Sequence, residues 1–319
     1  MTTYREILAK SPIVGAPLAE VTDYPFRRIQ RLFSDGLVHT EMVASVGLLH
    51  ENAKTFRMVS TIPDEEPPVG IQIMGSDEET VGLTVRRIAQ LRPTIIDINM
   101  ACPVRKILKS NCGAWLLENP ERATRIVKAA KSETDLPIGV KIRLGLSEVT
   151  VDRTVDALLE GGVDAISIHG RTAAQMYTGR SDRAAILSVA RRVPVPVIAS
   201  GDVFSTQDVL ELLGGGASGV LVARGMMGRP WFLAEAKAAA KNLPMPSRPD
   251  VAEIVLLHLR HIVDFYGEDG IRKFRRHLVE YVRGLPGAPR LRHALVTARS
   301  SAEIEAIIFA SIRGDGAAA

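Results

Sequence analysis

The chain has 319 residues and is 46% hydrophobic, which is enough for one large domain or for a barrel with a small appendage. Aromatic residues make up only 5%, so the core must be mainly aliphatic, and a net charge of +4 is by itself a weak sign of a polyanionic partner. The two cysteines, Cys102 and Cys112, are too few for a disulfide scaffold, and the sequence shows no metal-binding Cys/His cluster, so no metal is expected. No secretory signal is visible, and no apolar run reaches the ~20 residues needed to cross a bilayer, which predicts a cytoplasmic protein.

Eight short apolar runs alternate with segments of helical periodicity. Most of these runs are near-continuous in Val, Ile and Ala, which is typical of parallel strands buried on both faces. The predicted strands are 13–17, 37–44, 69–74, 95–99, 138–142, 165–169, 195–199 and 219–223. The predicted helices between them are 78–91, 121–133, 150–160, 182–191 and 206–213. Eight β-α units over roughly 235 residues match the usual size of an α/β fold of the (β/α)8 TIM barrel type.

The order of these elements also separates the barrel from a second part of the chain. A doubly wound open sheet would carry a G-x-G-x-x-G turn after its first strand, but Leu18-Ala-Glu-Val-Thr-Asp23 follows here. The proline-rich stretch 243–249 predicts a linker, and the helices predicted beyond it are 251–266, 270–283 and 299–312. We therefore expect a catalytic TIM barrel at residues 1–242, a small all-helical domain at 243–313 and a disordered tail at 314–319.

Polar and small residues lie in the predicted strands or just after them, toward the carboxyl ends where such barrels carry out their chemistry. These residues are Gln72, Asn99, Cys102, Lys141, Arg143, His169, Ser200, Gly201, Asp202, Ala223 and Arg224. Strands seven and eight finish in small residues and glycine, where such barrels commonly bind a phosphate through backbone N–H groups. Lys141 lies within an apolar strand and must find a partner there. Flavin mononucleotide (FMN), with one phosphate and one polar heterocycle, fits this set of groups.

The stretch Asp97-Ile-Asn-Met-Ala-Cys-Pro103 presents an amide, Asn99, and a thiol, Cys102, at a proline-marked strand end. A thiol in that position is a candidate proton donor or a candidate nucleophile, and the residues alone leave both open. An ordinary thiol, with a pKa of about 8.5, is protonated at neutral pH and can still give its proton to a carbanion-like carbon. Cys112 is expected to serve packing alone.

At this point the sequence resembles the tRNA-dihydrouridine synthases of the bacterial type, from about residue 12 to about residue 290. The matching stretches begin with Ala16-Pro-Leu-Ala-Glu-Val-Thr-Asp-Tyr-Pro-Phe-Arg27, Gln72-Ile-Met-Gly75, the Asp97–Pro103 stretch, Gly139-Val-Lys-Ile-Arg143 and His169-Gly-Arg-Thr172. They continue with Gly201-Asp202, Ala223-Arg-Gly-Met-Met-Gly-Arg-Pro-Trp231, Arg272-Lys-Phe-Arg-Arg-His277 and Gly284-Leu-Pro286. The Asn-x-x-Cys-Pro and Gly-Arg-Pro-Trp pieces together are highly specific. Ala101 and Ser200 stand where the family often has Gly and Asn.

The resemblance implies an FMN-dependent oxidoreductase that reduces the C5–C6 bond of specific uridines in tRNA. In that family, flavin recharged by NADPH gives a hydride from N5 to C6 of the uracil, and a cysteine gives the proton to C5. Carried onto this chain, Cys102 is the acid, and Asn99 and Arg143 face the uracil. The residues that would bind FMN are Pro17, Leu18 and Ala19 beside the ring, Gln72, Lys141 and His169 on the isoalloxazine, Gly201, Asp202, Ala223 and Arg224 at the phosphate, and Ser200 as a further flavin contact.

The predicted helical domain is strongly basic. Between residues 272 and 299 the chain has eight basic residues and one acidic residue, a charge of +7, against +4 for the whole chain. Such a concentration is expected of a surface that meets RNA phosphates, and binding should then weaken steeply with salt. Arg272, Arg275 and Arg276 are the candidate tRNA contacts, and Arg105, Lys106 and Lys109 would extend the basic surface toward Cys102.

Two other functions remain as alternatives at the level of sequence. An FMN-dependent dihydroorotate or dihydropyrimidine dehydrogenase also works on a pyrimidine C5–C6 bond, but such enzymes lack the basic helical appendage. A non-catalytic RNA-binding protein on a barrel scaffold would not need Lys141, Gln72 and Cys102 together. Nothing in the sequence demands an oligomer, so a monomer is expected.

Overall fold

A computed structural model describes residues 2–50, 52–59 and 68–313 of the chain. Its centre is a set of parallel strands surrounded by helices. The strands are β1 (Ile13–Gly15), β2 (Val38–His39), β3 (Val43–Ala44), β4 (Val69–Met74), β5 (Ile95–Met100), β6 (Ile138–Arg143), β7 (Ala165–His169), β8 (Val197–Ser200) and β9 (Gly219–Val222). The predicted tail at 314–319 lies outside the described residues.

The strands close into a ring, which confirms the predicted TIM barrel. Neighbouring strands run in the order β1, β9, β8, β7, β6, β5 and β4, and β2 pairs in parallel with both β1 and β4. The short β3 also pairs with β4, so β2 and β3 together fill one of eight positions around the barrel. The strand residues are almost all buried, because the barrel interior lies on one face and the helices cover the other.

The second strand position departs from the sequence prediction. A single strand was predicted over residues 37–44, but it is broken between β2 and β3. Thr40 lies at the break, and its side-chain oxygen accepts a hydrogen bond from Gln72 N at 3.3 Å and donates one to Glu41 O at 2.9 Å. The Thr40 side chain has thus replaced a backbone acceptor in the hydrogen bonds between neighbouring strands, as Thr side chains can do.

The helices of the barrel begin with one that precedes the first strand. They are α1 (Tyr4–Lys10), α2 (Tyr24–Arg31), α3 (Ser45–Leu49), α4 (Ala53–Met58), α5 (Glu78–Ala89), α6 (Arg105–Leu108), α7 (Pro120–Ser132), α8 (Val151–Glu160), α9 (Arg183–Arg192), α10 (Thr206–Gly214) and α11 (Phe232–Ala240). The five predicted helices agree with α5, α7, α8, α9 and α10 within two residues at each end. Side-chain caps explain several starts: Asp77 accepts from Thr80 N, and Asp182 accepts from Ala185 N.

Residues 243–250 form no helix or strand, and four helices follow them. These are α12 (Val251–Tyr266), α13 (Ile271–Tyr281), α14 (Ala288–Thr297) and α15 (Ser301–Ile308), with a short π-helical end at Phe309–Arg313. The helix α14 was not predicted, because the Gly- and Pro-containing sequence before it reads as a loop. The proposed domain boundary at residue 243 remains a prediction.

The helical part packs against the barrel through α2. The Phe26 ring of α2 lies 5.4 Å from the ring of His258 on α12 and 4.6 Å from that of His277 on α13, measured between centroids. The carboxylate of Asp23, the N-cap of α2, lies close to the rings of these two histidines. All three residues are buried, and one carboxylate oxygen and one nitrogen of each ring lie within 4.8 Å of one another. Burial lowers the pKa of His277 to about 3, so its imidazole is neutral at physiological pH. Sequence spacing gave no sign of this group, because its members lie far apart along the chain.

Candidate active site

A cavity of about 340 Å³ opens at the carboxyl rim of the barrel, within the range of ligand-binding pockets. Every residue that the sequence assigned to FMN lines it: Pro17, Leu18, Ala19, Gln72, Lys141, His169, Ser200, Gly201, Asp202, Ala223 and Arg224. Asn99, Cys102 and Arg143 line the same cavity. Arg272, Arg275 and Arg276 do not, since they lie on α13. The barrel therefore brings the chemical groups together, and the basic residues lie outside the cavity.

The side chains of Asn99 and Arg143 hold the backbone of the loop that carries Cys102. The Oδ1 atom of Asn99 accepts hydrogen bonds from the backbone N–H of Ala101 at 3.0 Å and of Cys102 at 2.9 Å. The Nε atom of Arg143 donates to Ala101 O at 2.9 Å. Asn99 and Arg143 therefore fix the backbone around the thiol, besides lining the cavity.

The turn that packs against the Cys102 loop requires a glycine at position 113. Gly113 has φ +61°, a left-handed conformation that costs little only without a side chain. A Cβ atom at Gly113 would come within 2.7 Å of Cys102 O, which accepts a hydrogen bond from Ala114 N at 3.1 Å. Gly113 thus lets the following turn close tightly against the thiol loop.

Ala101 and the thiol are compatible with acid chemistry. Ala101 is not among the described residues with positive φ, so its backbone carries no strain that a glycine would relieve. Cys102 is half-buried and forms no disulfide, and burial raises the pKa of its thiol. The sulfur therefore keeps its proton at neutral pH, as a proton donor must.

Lys141 lies on β6 beside the cavity without a partner. Within the described chain, its ammonium makes no hydrogen bond and no ion pair, although Asp97 and Arg143 are near enough to affect it electrostatically. Burial, with a further contribution from Arg143, lowers the pKa of Lys141 to about 8. The ammonium of the half-buried Lys141 is partly desolvated and has no acceptor within the described chain, so an acceptor on a ligand in the cavity would stabilise it.

His169 presents a second unpartnered group. Its Nδ1 atom is buried and has no hydrogen-bond partner among the residues that the structure describes. Burial, together with the positive charges of Lys141 and Arg143, lowers the pKa of His169 to about 2, so the imidazole is neutral. A neutral imidazole can donate from one nitrogen and accept at the other, which suits a polar ring.

The side chain of Gln72 lies between two residues of β5. Its Nε2 atom donates to Asp97 Oδ2 at 2.6 Å, and its Oε1 atom accepts from Asn99 Nδ2 at 2.8 Å. One hydrogen of the Gln72 amide remains free for a ligand. All three side chains are almost fully buried.

The ends of β8 and β9 offer free backbone donors. Gly201 has φ +112° and Asp202 has φ +52°, so the chain turns sharply out of β8. A Cβ atom at Gly201 would lie 2.4 Å from Ser181 Oγ, which explains the glycine. In the described ranges, the N–H groups of Gly201, Asp202 and Ala223 donate to no other group, as in anion-binding turns.

Arg171 supports this end of the cavity from behind its lining, although the sequence assigned it no role. It is only 2% exposed, and it binds both carboxylate oxygens of Asp202, at 3.0 and 2.6 Å. Arg224 also pairs with Asp202, at 3.2 Å, and lies 4.7 Å from the centroid of the Tyr177 ring. Asp202 therefore holds two guanidinium groups in place, and the pairing lowers the pKa of its carboxyl against the effect of burial. Arg171 lies two residues after β7 and inside the matching stretch His169-Gly-Arg-Thr172, and both sequence signals could have identified it.

The α13 arginines differ from one another. Arg276 is ion-paired with Glu20 and donates to Ala19 O at 3.3 Å, which places this face of α13 at the cavity rim. Arg275 is half-buried and donates to Ala298 O at 3.0 Å. Arg272 is exposed and has no partner in the part of the chain that the structure describes. Since Arg272 precedes Arg276 by four residues, both lie on the same face of the helix.

A closed β/α barrel with a cation-rich cavity and a protonated thiol at its carboxyl rim defines a ligand-binding barrel enzyme. The family model described as "Dihydrouridine synthase (Dus)" matches residues 14–311, and the chain belongs to this family. A probable tRNA-dihydrouridine synthase of Rhizobium leguminosarum bv. phaseoli is 35% identical over 94% of this chain and 95% of its own length. One of Rhodobacter capsulatus is 37% identical over 93% of each chain, and tRNA-dihydrouridine synthase B of Pseudomonas aeruginosa is 34% identical over 88% of this chain and 86% of its own.

One solved structure, a DHODH from Eimeria tenella in complex with ferulenol, aligns with a TM-score of 0.44 and 21% identity. The alignment covers 55% of this chain and 57% of that chain. None of the helices in the described ranges combines the length and the apolar character needed to cross a membrane.

Proposed function

We propose that this protein is a tRNA-dihydrouridine synthase that uses FMN and NADPH to reduce the C5–C6 bond of uridine in tRNA. The observation that carries the proposal is that the thiol of Cys102 and the unpartnered ammonium of Lys141 line one cavity. The names of the full-length relatives and the membership of the dihydrouridine synthase family support the same reaction.

The donor set of the cavity fits FMN. The free N–H groups of Gly201, Asp202 and Ala223, with the guanidinium of Arg224, would hold its phosphate. The isoalloxazine is rich in acceptors, and Lys141 and Gln72, which line the cavity, would supply donors. The remaining groups, Pro17, Leu18, Ala19, His169 and Ser200, would line the ring and the ribityl chain.

In the proposed reaction, different residues of the chain donate the proton and position the thiol. When bound and reduced by NADPH, FMN supplies a hydride to C6 of the uracil. Cys102 gives its proton to C5, and its raised pKa keeps it protonated until that step. Asn99 and Arg143 hold the Cys102 loop through its backbone and leave N–H groups for the uracil carbonyls. The uridine must leave its stack to enter, at a cost of a few kcal/mol that contacts elsewhere on the tRNA must offset.

Two groups of exposed cations would bind the RNA phosphates. Arg105 and Lys106 of α6 and the adjacent Lys109 are exposed, and they follow the cavity-lining Val104. Arg272 is exposed on the face of α13 from which Arg276 reaches the cavity-lining Ala19, and Arg290 and Arg292 on α14 are also exposed. A free pyrimidine as substrate would need neither group, which disfavours a dihydroorotate dehydrogenase-like activity.

The experiment that tests the proposal combines cofactor and product analysis. The purified protein, reconstituted with FMN, should show a flavin absorbance spectrum and form dihydrouridine in tRNA when NADPH is added. Dihydroorotate serves as the control substrate and should not react. A protein that takes up no FMN, or that holds FMN and leaves tRNA unchanged, would contradict the proposal.

FMN binding should weaken above pH 8. The pKa of Lys141 is about 8 in the folded apoprotein, so its ammonium is present below that pH and lost above it. Free lysine titrates near 10.4, so between these values the unfolded chain binds more protons and the apoprotein gains stability as pH rises. FMN needs the ammonium, so its Kd should rise by up to about tenfold per pH unit above 8. Fluorescence titration of the apoprotein at pH 7, 8 and 9 measures this, and a constant Kd would argue against a Lys141 contact.

Replacing Arg272 with alanine should weaken tRNA binding without affecting FMN. Each phosphate contact that is lost reduces the slope of log K against log salt by about 1. Arg191→Ala is the matched control, because Arg191 lies in the last turn of α9, at the opposite end of the barrel. Filter binding of tRNA at several salt concentrations provides both slopes. Equal slopes for Arg272→Ala and the unchanged protein would remove Arg272 from the RNA surface.

A further inference from the structure

A chain of buried hydrogen bonds runs from the interior of the barrel to the loop of Cys102. It starts at Asp97, passes through the Gln72 amide at 2.6 Å and reaches the Asn99 amide at 2.8 Å. It ends on the backbone N–H groups of Ala101 and Cys102, at 3.0 and 2.9 Å. Asp97 and Asn99 project to the same side of β5, and Asp97 lies beside Gln72 in the register of β4 and β5. A residue inside the barrel is thus linked to the backbone of the thiol loop.

The direction of every bond in this chain is set from both ends, by the carboxylate of Asp97, which only accepts, and by the backbone N–H groups of Ala101 and Cys102, which only donate. An ionised carboxylate only accepts hydrogen bonds, so the NH2 group of Gln72 must face Asp97 and its oxygen must face Asn99. The Gln72 oxygen in turn requires the NH2 group of Asn99, which leaves the Asn99 oxygen for the two backbone N–H groups. Burial raises the pKa of Asp97, while His39, Gln72 and Lys141 act in the opposite direction and favour the carboxylate.

The surroundings of Asp97 are shaped to hold this carboxylate. Gly139 lies opposite Asp97 in the register of β5 and β6, and a Cβ atom there would come within 2.8 Å of Asp97 Oδ1. The same Cβ atom would lie 2.1 Å from the hydroxyl of Tyr4, a buried residue of α1. The absence of a side chain at position 139 thus makes room for the carboxylate and for the ring that covers it.

We propose that Asp97 is a positioning residue for Cys102, acting through Gln72 and Asn99. The proposal rests on the proposed function, in which Cys102 is the proton donor. The positioning role goes beyond that function because it predicts that the amides of Gln72 and Asn99 each turn their remaining N–H toward the cavity. Any ligand group placed over these two amides must therefore be a hydrogen-bond acceptor. Arg143 holds Ala101 O independently, so loss of Asp97 should loosen the loop without releasing it entirely.

The test is Asp97→Asn. This substitution keeps the shape of the side chain, but the carboxylate, which only accepts hydrogen bonds, becomes an amide that can also donate one. The new amide can donate to Gln72, which lets Gln72 and then Asn99 turn round and release the backbone N–H groups. In a Cys112→Ala background, alkylation of Cys102 in the FMN-free protein should become about tenfold faster, as expected for one lost hydrogen bond. With FMN and tRNA, kcat should fall about tenfold or more while the KM for tRNA is unchanged. Asp164→Asn is the control, because Asp164 accepts from Ile138 N near the opposite end of β6.

A double variant, Asp97→Asn with Gln72→Glu, provides the rescue. The carboxylate introduced at position 72 accepts both from the new amide at position 97 and from Asn99, so the direction of the Asn99 amide and the slow alkylation of Cys102 should return. This variant should also fold if Asp97→Asn alone does not. Unchanged alkylation and kcat in Asp97→Asn, or a double variant whose Cys102 alkylation rate in the FMN-free protein is no closer to the parent than that of the single variant, would overturn the proposal. If the parent protein formed no dihydrouridine while the alkylation results held, the proposed function would fail and the positioning role would stand.

Discussion

Replacing Cys102 with alanine should leave FMN bound and lower the rate of dihydrouridine formation by roughly 10²–10⁴-fold, the usual contribution of a positioned acid. The thiol is half-buried and its raised pKa keeps it protonated at neutral pH. Its backbone is held by Asn99 and Arg143, so removal of the sulfur alone should not disturb the loop. The measurement is single-turnover reduction of tRNA by the prereduced protein, with flavin absorbance as the check on cofactor content.

Cys112 provides the matched control for this substitution. It is 8% exposed, its sulfur contacts Ser110 O at 3.2 Å, and it does not line the cavity. Cys112→Ala should therefore retain turnover and lose only some stability, because it removes a small buried side chain. Wild-type turnover in Cys102→Ala would remove Cys102 from the reaction. Loss of turnover in both variants would show that the assay reports general damage.

Replacing Lys141 with methionine should act in opposite directions on the apoprotein and on the FMN complex. Methionine relieves the cost of a desolvated ammonium that has no partner in the described chain, so the apoprotein Tm should rise by roughly 1–3 °C. FMN loses a charged hydrogen bond, and its Kd should rise by roughly 10–100-fold. Differential scanning calorimetry of the apoprotein and fluorescence titration with FMN measure the two effects.

The control for this prediction is Lys128→Met. Lys128 forms an exposed ion pair with Glu160 at 2.9 Å on the outside of the barrel, and such pairs contribute little to stability. Neither the FMN affinity nor the apoprotein Tm should change appreciably. A Lys141→Met protein that binds FMN as tightly as the parent would contradict the cofactor contact, and a large fall in its apoprotein Tm would mean that Lys141 has a structural partner.

Much of the candidate site was accessible from the sequence because of how parallel barrels are built. The runs 69–74 and 165–169 were predicted with the bounds of β4 and β7, and the ends of parallel strands meet at one rim. That topology places Gln72 and His169 in the same cavity as Cys102 without any knowledge of their contacts. The predicted strand 37–44 failed at its centre because Thr40 bonds through its side chain, an effect that residue hydrophobicity does not report.

The α13 arginines show where sequence reasoning stops. Arg272, Arg275 and Arg276 were equivalent as members of one charged run, yet Arg276 pairs with Glu20 and Arg275 with Ala298. Of these three arginines, Arg272 alone is exposed and has no partner in the part of the chain that the structure describes. The difference arises because the helix buries one face and presents another, and the docking of α13 decides which arginine lies on which face.

The sequence by itself determined the barrel, the family resemblance and the residues at the rim, because strand periodicity and short motifs are local properties of the chain. It also identified the Asp97–Pro103 stretch as the source of the thiol. Only the tertiary structure decided that Arg171 secures Asp202, that Lys141 lacks a partner in the described chain, and that Asp97 directs the amides leading to Cys102. These relations join residues tens of positions apart, and they depend on strand register and on which hydrogen-bond donors and acceptors the fold leaves unpaired.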